Sequence, residues 1–209
     1  MDYNDKYFLD SNTIVLLIDK DILIEFQKTY VEIIDIFKSG IEKQRKLIKE
    51  RLDKKGFQND YGSRYVEDEF ALLDQLDNID NQIFQYLTIM SMYSKCEIML
   101  KNWLKAINPN LNNINHSNIN GIKKLYKCRG IDLDRIDNFI YFKSLNKTNN
   151  CIKHNDGVVD IKHIDFYQIG KNFRRGEKIK LDFKNIIQLA DKISSFMLDI
   201  LIKVSPFKI

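Results

Sequence analysis

Proline is almost missing from this chain, with two residues in 209, and glycine is sparse at eight. So few breakers argue against a strand-and-turn architecture and favour long helices. Cysteine is scarce as well. Cys96, Cys128 and Cys151 cannot all pair with one another, and their spacing matches neither a disulfide framework nor the two close pairs of a structural zinc site. A reducing cytoplasm is the compartment this implies. No stretch reaches the roughly 18 uninterrupted apolar residues of a membrane span. The short apolar run Ile14 to Ile18 follows Asp2, Asp5 and Asp10, not the cationic start of a secretory signal. Glycine-rich phosphate loops, a nucleophile-elbow sequence and internal repeats are all lacking. No metal site or cofactor is expected.

Hydrophobic residues make up 44% of the chain and charged residues 30%, enough for a proper core and a well-solvated surface. One domain over 1–209 is expected, with 1–64 forming an arm and long helix added to a core at 65–209. The net charge of +4 is mildly basic, compatible with RNA without requiring it.

Apolar periodicity divides the chain into helices. From Asp19 or Asp21, suitable N-caps, Leu23, Phe26, Tyr30, Ile33, Ile34, Phe37, Ile41, Ile48 and Leu52 mark a helix to about Lys55. Gly40 is a candidate bend. The second half of this helix is heavily charged. With Glu42 and Glu50 interspersed, it reads as a solvated face sooner than as a basic nucleic-acid surface. Lys54 to Arg64 reads as a loop, followed by a second long helix from Val66 to Ile107. Phe70, Leu73, Leu76, Ile83, Leu87, Met90, Tyr93, Ile98, Leu100, Trp103 and Leu104 are its expected buried side. Asn108-Pro109-Asn110 ends it. Ser117 is placed to cap a helix from Asn118 to Arg129 that Gly130 stops. Another helix is expected from Asp132 or Asp134 to His154. Beyond Gly157, residues 158–181 alternate as a short β-hairpin or extended flap carrying the cationic and aromatic cluster Lys171-Asn172-Phe173-Arg174-Arg175. Asp182 then caps a last helix, Phe183 to Val204. The fold class is all-α, with long antiparallel helices and a small β-hairpin or flap before the C-terminal helix.

The chemistry concentrates in Leu145-Asn146-Lys147-Thr148-Asn149-Asn150-Cys151-Ile152-Lys153-His154-Asn155-Asp156-Gly157. At 100° per residue, Asn146, Asn149, Asn150, Lys153 and His154 fall within an arc of roughly 140°, while Leu145 and Ile152 point toward a core. An ordinary helix stop explains part of this pattern, since basic residues suit the negative end of the helix dipole and Gly suits the position beyond it. Cys151, one turn from His154, reads as a buried and inert thiol.

The run from Asn149 to Gly157 resembles the signature region of HEPN-type helical domains, where an Arg precedes a His near a helix end. Lys147 stands at the longest spacing that pattern allows for the Arg. The likeness covers about residues 65 to 204. It implies a HEPN-like helical bundle acting on RNA, as a metal-independent endoribonuclease or toxin of a toxin–antitoxin or phage-defence system. In that reading His154 is the acid/base, and Lys147, Lys153, Asn149 and Asn150 complete the catalytic set. Asn146, Asn155, Asp156, Arg174 and Arg175 would bind substrate. The implied partners are RNA, a second copy of the chain, and an antitoxin or defence-system protein, with no membrane. The alternative is a catalytically degenerate HEPN-derived scaffold that binds a partner protein or a nucleotide.

Overall fold

The computed structural model describes residues 19–55, 67–68, 70–75, 82–108, 111, 118–166 and 171–205. The expected arm before Asp19, the loop over 56–64 and the Asn-rich connection over 112–117 lie outside the described residues. The elements, in chain order, are α1 Phe26–Lys55, α2 Phe84–Ile107, α3 Ile119–Lys127, a 3-10 turn Leu133–Arg135, α4 Phe139–Asn155, β1 His163–Phe166, β2 Lys171–Arg174 and α5 Phe183–Val204. The chain is mainly helical, with one small antiparallel two-stranded sheet among the described residues. Among the described residues, no helix is long and apolar enough to cross a membrane.

A helical turn over 19–24 leads into α1, with a single turn residue, Glu25, between them. Gly40 leaves α1 unbroken. Leu23, Phe26, Tyr30 and Ile34 are buried in the same core as the later helices. Of the adjacent pair Ile33 and Ile34 only the second is buried, because a stripe with a period of 3.6 residues takes one of two neighbours inward. Asp19 does not act as the cap expected of it. Its carboxylate Oδ2 accepts the Trp103 Nε1–H at 2.7 Å, tying the entry of α1 to the end of α2. The Ser194 hydroxyl donates to the Leu23 carbonyl at 2.6 Å, tying the same turn to α5.

At the centre, Tyr93 of α2, Phe139 and Phe142 of α4 and Phe196 of α5 pack ring against ring, with centroids 5.4 to 6.5 Å apart. Such contacts add to the area that each ring removes from water. Farther out, Phe37 of α1 stacks on Phe84 at 3.8 Å, and Phe84 meets Phe183 edge-on at 5.9 Å. Tyr93, Leu100, Trp103 and Leu104 are buried as expected, but Phe70, Ile83, Leu87 and Ile98 are exposed. Leu87 and Ile98 are three turns apart on one stripe, the side of α2 turned away from α4 and α5. Helical backbone also occupies 70–75; residues 76–81, which decide whether 66–107 is one helix, lie outside the described set.

Asn118 caps α3, its Oδ1 accepting the Gly121 N–H at 3.0 Å, while Ser117, the expected cap, lies outside the described residues. Gly130 ends the segment in the left-handed region at φ 78°. The expected helix from Asp132 or Asp134 is interrupted. Asp132 caps only the 3-10 turn, and Asn138 at φ 63° redirects the chain, so α4 starts at Phe139. Asp182 does cap α5, through a reciprocal pair with Asn185 that satisfies two end donors at once.

Candidate functional site

Helix α4 contains no acidic residue from Phe139 through Asn155. Its buried sector carries Tyr141, Phe142, Ser144, Leu145, Thr148, Asn149 and Cys151. On the opposite sector Lys143, Lys147, Asn150 and His154 are all exposed. At 100° per residue these four lie within about 60° of one another, along roughly 16 Å of helix axis. Lys147 and His154 are separated by only about 20° around the helix. Lys153 is exposed and Asn146 half-buried toward one edge of this strip.

One expected member is on the wrong side. Asn149 is 1% exposed, and its Oδ1 has no hydrogen-bond partner among the described residues, as is also true of Thr148 Oγ1. Leu145 and Phe142, which follow the same helical row, draw Asn149 into the core. An unpaired buried oxygen costs about 1–3 kcal/mol. Asn149 therefore orients neither a phosphate at the surface nor the imidazole of His154.

The end of α4 is built by two consecutive left-handed residues, Asp156 at φ 49° and Gly157 at φ 76°. Gly157 N–H closes on the Cys151 carbonyl at 3.0 Å, and the chain turns back along the helix. Gly157 is required twice over: a Cβ there would clash with the Tyr86 hydroxyl and ring. The Tyr86 hydroxyl donates to the Ile179 carbonyl at 3.3 Å, so one side chain of α2 holds both the helix end and the strand that returns to it. Burial raises the Tyr86 phenol above its ordinary range.

Residues 157–159 pair with 177–179 through Ile179 N–H to Gly157 O, Val159 N–H to Glu177 O and Gly176 N–H to Val159 O. Beyond this base, β1 and β2 pair with His163 opposite Arg174 and Ile164 opposite Phe173. Alternation along β2 turns Phe173 inward, where it is buried, and leaves Asn172 and Arg174 outside. The cluster at 171–175 is therefore cationic but offers no exposed ring on which a base could stack. The Ser144 hydroxyl donates to the Asp165 carbonyl, seating β1 on α4.

Asn155 and Asp156 are engaged within the protein. The Asp156 carboxylate pairs with Lys178 Nζ at 3.2 Å across the base of the hairpin. Asp160 accepts the Asn155 amide and the Cys151 thiol, the latter at 3.4 Å. The Asn155 hydrogen bond, then the thiol, hold the Asp160 carboxyl below its ordinary range, and the charge of Arg175 adds to this. Burial pushes the Cys151 thiol up, which suits an inert role. Asp160, Lys178 and Tyr86 give no sign in the sequence of belonging to this site, because the reversal at Asp156-Gly157 brings the first two to the end of α4 and Tyr86 reaches it from the distant helix α2. Lys143 does give one, standing one turn before Lys147.

The structure thus brings together Lys147, Asn150, Lys153 and His154, with Asn146 at the margin. Arg175 approaches the same helix end through Asp160, and Arg174 is exposed on the outer strand. Among the described residues no group of three His, Cys, Asp or Glu side chains is placed to hold a metal ion. No family model matches this sequence, and neither a curated protein nor a solved structure is detectably similar to it.

Proposed function

We propose that this chain is a HEPN-like protein acting on RNA, with the outer face of α4 as its site and His154 as the acid/base of a metal-independent cleavage. The observation that carries the reading is the exposed imidazole of His154 on an acid-free helix face, in line with Lys147. RNA cleavage of this kind needs a base to take the 2′-hydroxyl proton, so that the 2′-oxygen can attack the adjacent phosphorus. The bond to the 5′-oxygen breaks, and that oxygen receives a proton from an acid; negative charge on the phosphorane is steadied by Lys147 and Lys153. A second copy meeting the first across α4 would supply the other imidazole. The setting is a cytoplasmic homodimer of a toxin–antitoxin or phage-defence system, with an antitoxin or defence protein as its further partner.

The test is incubation of total RNA with wild type and His154→Ala in EDTA. Cleavage by the wild type that the variant loses is the expected outcome; persistence of cleavage in the variant, or its absence with wild type, defeats the reading. A binding-only scaffold is the second reading. Lys147 in the place of the family's Arg favours it, because an ammonium cannot grip a phosphate bidentately, and so does the withdrawal of Asn149 into the core.

A further inference from the structure

The positive charge of this chain is concentrated in one part of it. Residues 118–155 hold eight Lys or Arg against three Asp, a net of +5, whereas the whole chain is +4, so all remaining residues together sum to −1. The fold brings several of these charges together where α3 meets the start of α4. Lys123 of α3 and Lys143 of α4 lie over the same Phe139 ring, at 5.5 and 5.7 Å. Between the two helices, the Asp134 carboxylate pairs with Lys123 at 2.6 Å. Its carboxyl is held below the ordinary range chiefly by Lys123, with Lys143 and Lys127 contributing. Asp132 is likewise shared, by Lys127 at 3.8 Å and Arg135 at 3.7 Å. The acids present are thus outnumbered by their own neighbours, while Lys124 and Arg129 are exposed and form no ion pair with a described residue. From Lys143 the surface runs directly into the strip of Lys147, Asn150 and His154.

We propose that α3 and the outer face of α4 together form a track for the phosphate backbone of an RNA strand, leading from Lys124 and Arg129 to His154. The proposal rests on the RNA reading of α4 and extends it to the class of contact. Apart from the His154 imidazole, the rings of these two helices, Tyr126, Phe139, Tyr141 and Phe142, are buried. Among the described residues of α3 and α4 no Phe, Tyr or Trp platform for base stacking is therefore offered, and the contacts fall chiefly on phosphates, which carry no sequence information. The RNA is bound without regard to sequence.

Fluorescence anisotropy with labelled, unstructured RNA oligonucleotides of two sequences tests this, using the full chain over a range of salt. Wild type should bind both alike, with log affinity falling against log salt at a slope of about −2 or steeper, since each phosphate contact to a single strand contributes about 0.7. Lys124→Glu with Arg129→Glu should weaken binding at least tenfold and flatten the slope by about 1.4. The same charge change on the outer half of α1, Lys43→Glu with Lys49→Glu, should leave affinity near wild type. Circular dichroism establishes folding, and Lys124→Gln with Arg129→Gln gives the same ordering if the reversal does not fold. RNA binding that the Lys124/Arg129 variants leave intact, or that the α1 variant weakens equally, overturns the track while leaving the cleavage assay for His154 to stand or fall alone. A wild type that ignores RNA, or prefers polyglutamate through these residues, overturns both.

Discussion

Gly157 shows how much a single residue can determine here. Its left-handed backbone is expected from its position after a helix; its second constraint, the Tyr86 ring lying where a side chain would begin, comes from a helix some seventy residues earlier. Gly157→Ala should therefore cost more than the roughly 1–3 kcal/mol of a left-handed non-glycine residue. In a Tyr86→Ala background the same substitution should cost less, because the clash is gone and only the backbone term remains. Urea denaturation of the four proteins of this cycle measures the coupling; equal costs in both backgrounds would show that Tyr86 does not hold the turn. Asn149 teaches the complementary lesson. Helical arithmetic places it at the edge of a polar arc, but an arc drawn on one helix does not say where the neighbouring helices stand. Here the boundary between wet and dry runs between Asn149 and Asn146.

The hairpin is the element whose meaning the fold changes most. Read along the chain, Lys171 to Arg175 is a cationic and aromatic cluster suited to a nucleic-acid strand. Pairing with β1 divides it, since alternate residues face opposite ways: Phe173 joins the core across from Ile164, and Arg174 faces out across from His163. Phe173→Ala should destabilise the fold by about 3 kcal/mol, whereas Arg174→Ala should leave stability within about 0.5 kcal/mol, as most surface substitutions do. Thermal melts of both variants check this, and similar shifts would contradict the burial pattern. The helices are the legible elements. The C-terminal end of α1, both ends of α5, the Asp182 cap and the Gly130 stop follow from periodicity and capping chemistry, which act over a few residues. The break before α4 is hidden because Asn138 adopts a left-handed conformation that Asn tolerates but does not require.

Across the whole molecule, two long-range ties hold the entry of α1 against the body: Ser194 to Leu23, and Trp103 to Asp19. Burial raises the Asp19 carboxyl above its ordinary 3.8, an effect that outweighs the Trp103 hydrogen bond and the charge of Lys95, which both lower it. A group whose folded value is raised lends stability that is complete below its unfolded value and is lost as pH rises through the folded one. Wild type should thus lose stability relative to Asp19→Asn as pH climbs from below about 3.8 upward. The amide of that variant would still present an oxygen to Trp103, so the packing is kept. Melting temperatures of both proteins from acid to neutral pH test this; parallel curves would mean that the carboxyl titrates alike in the folded and unfolded chains.

By itself the sequence determined the helical class, the limits of several helices, the presence of a small extended element before the last one and the stretch in which polar chemistry gathers. These rest on interactions between residues a few positions apart, which composition and spacing record directly. Only the tertiary structure decided which side of α4 is wet, that Phe173 is core and not platform, that Asp160 and Lys178 meet the end of the helix, and that Lys123 of α3 and Lys143 of α4 meet over one Phe139 ring. Each of those depends on which distant segment lies opposite, and chain reversals at Asp156-Gly157 and around Asn138 settle that in space while leaving little trace in the local pattern.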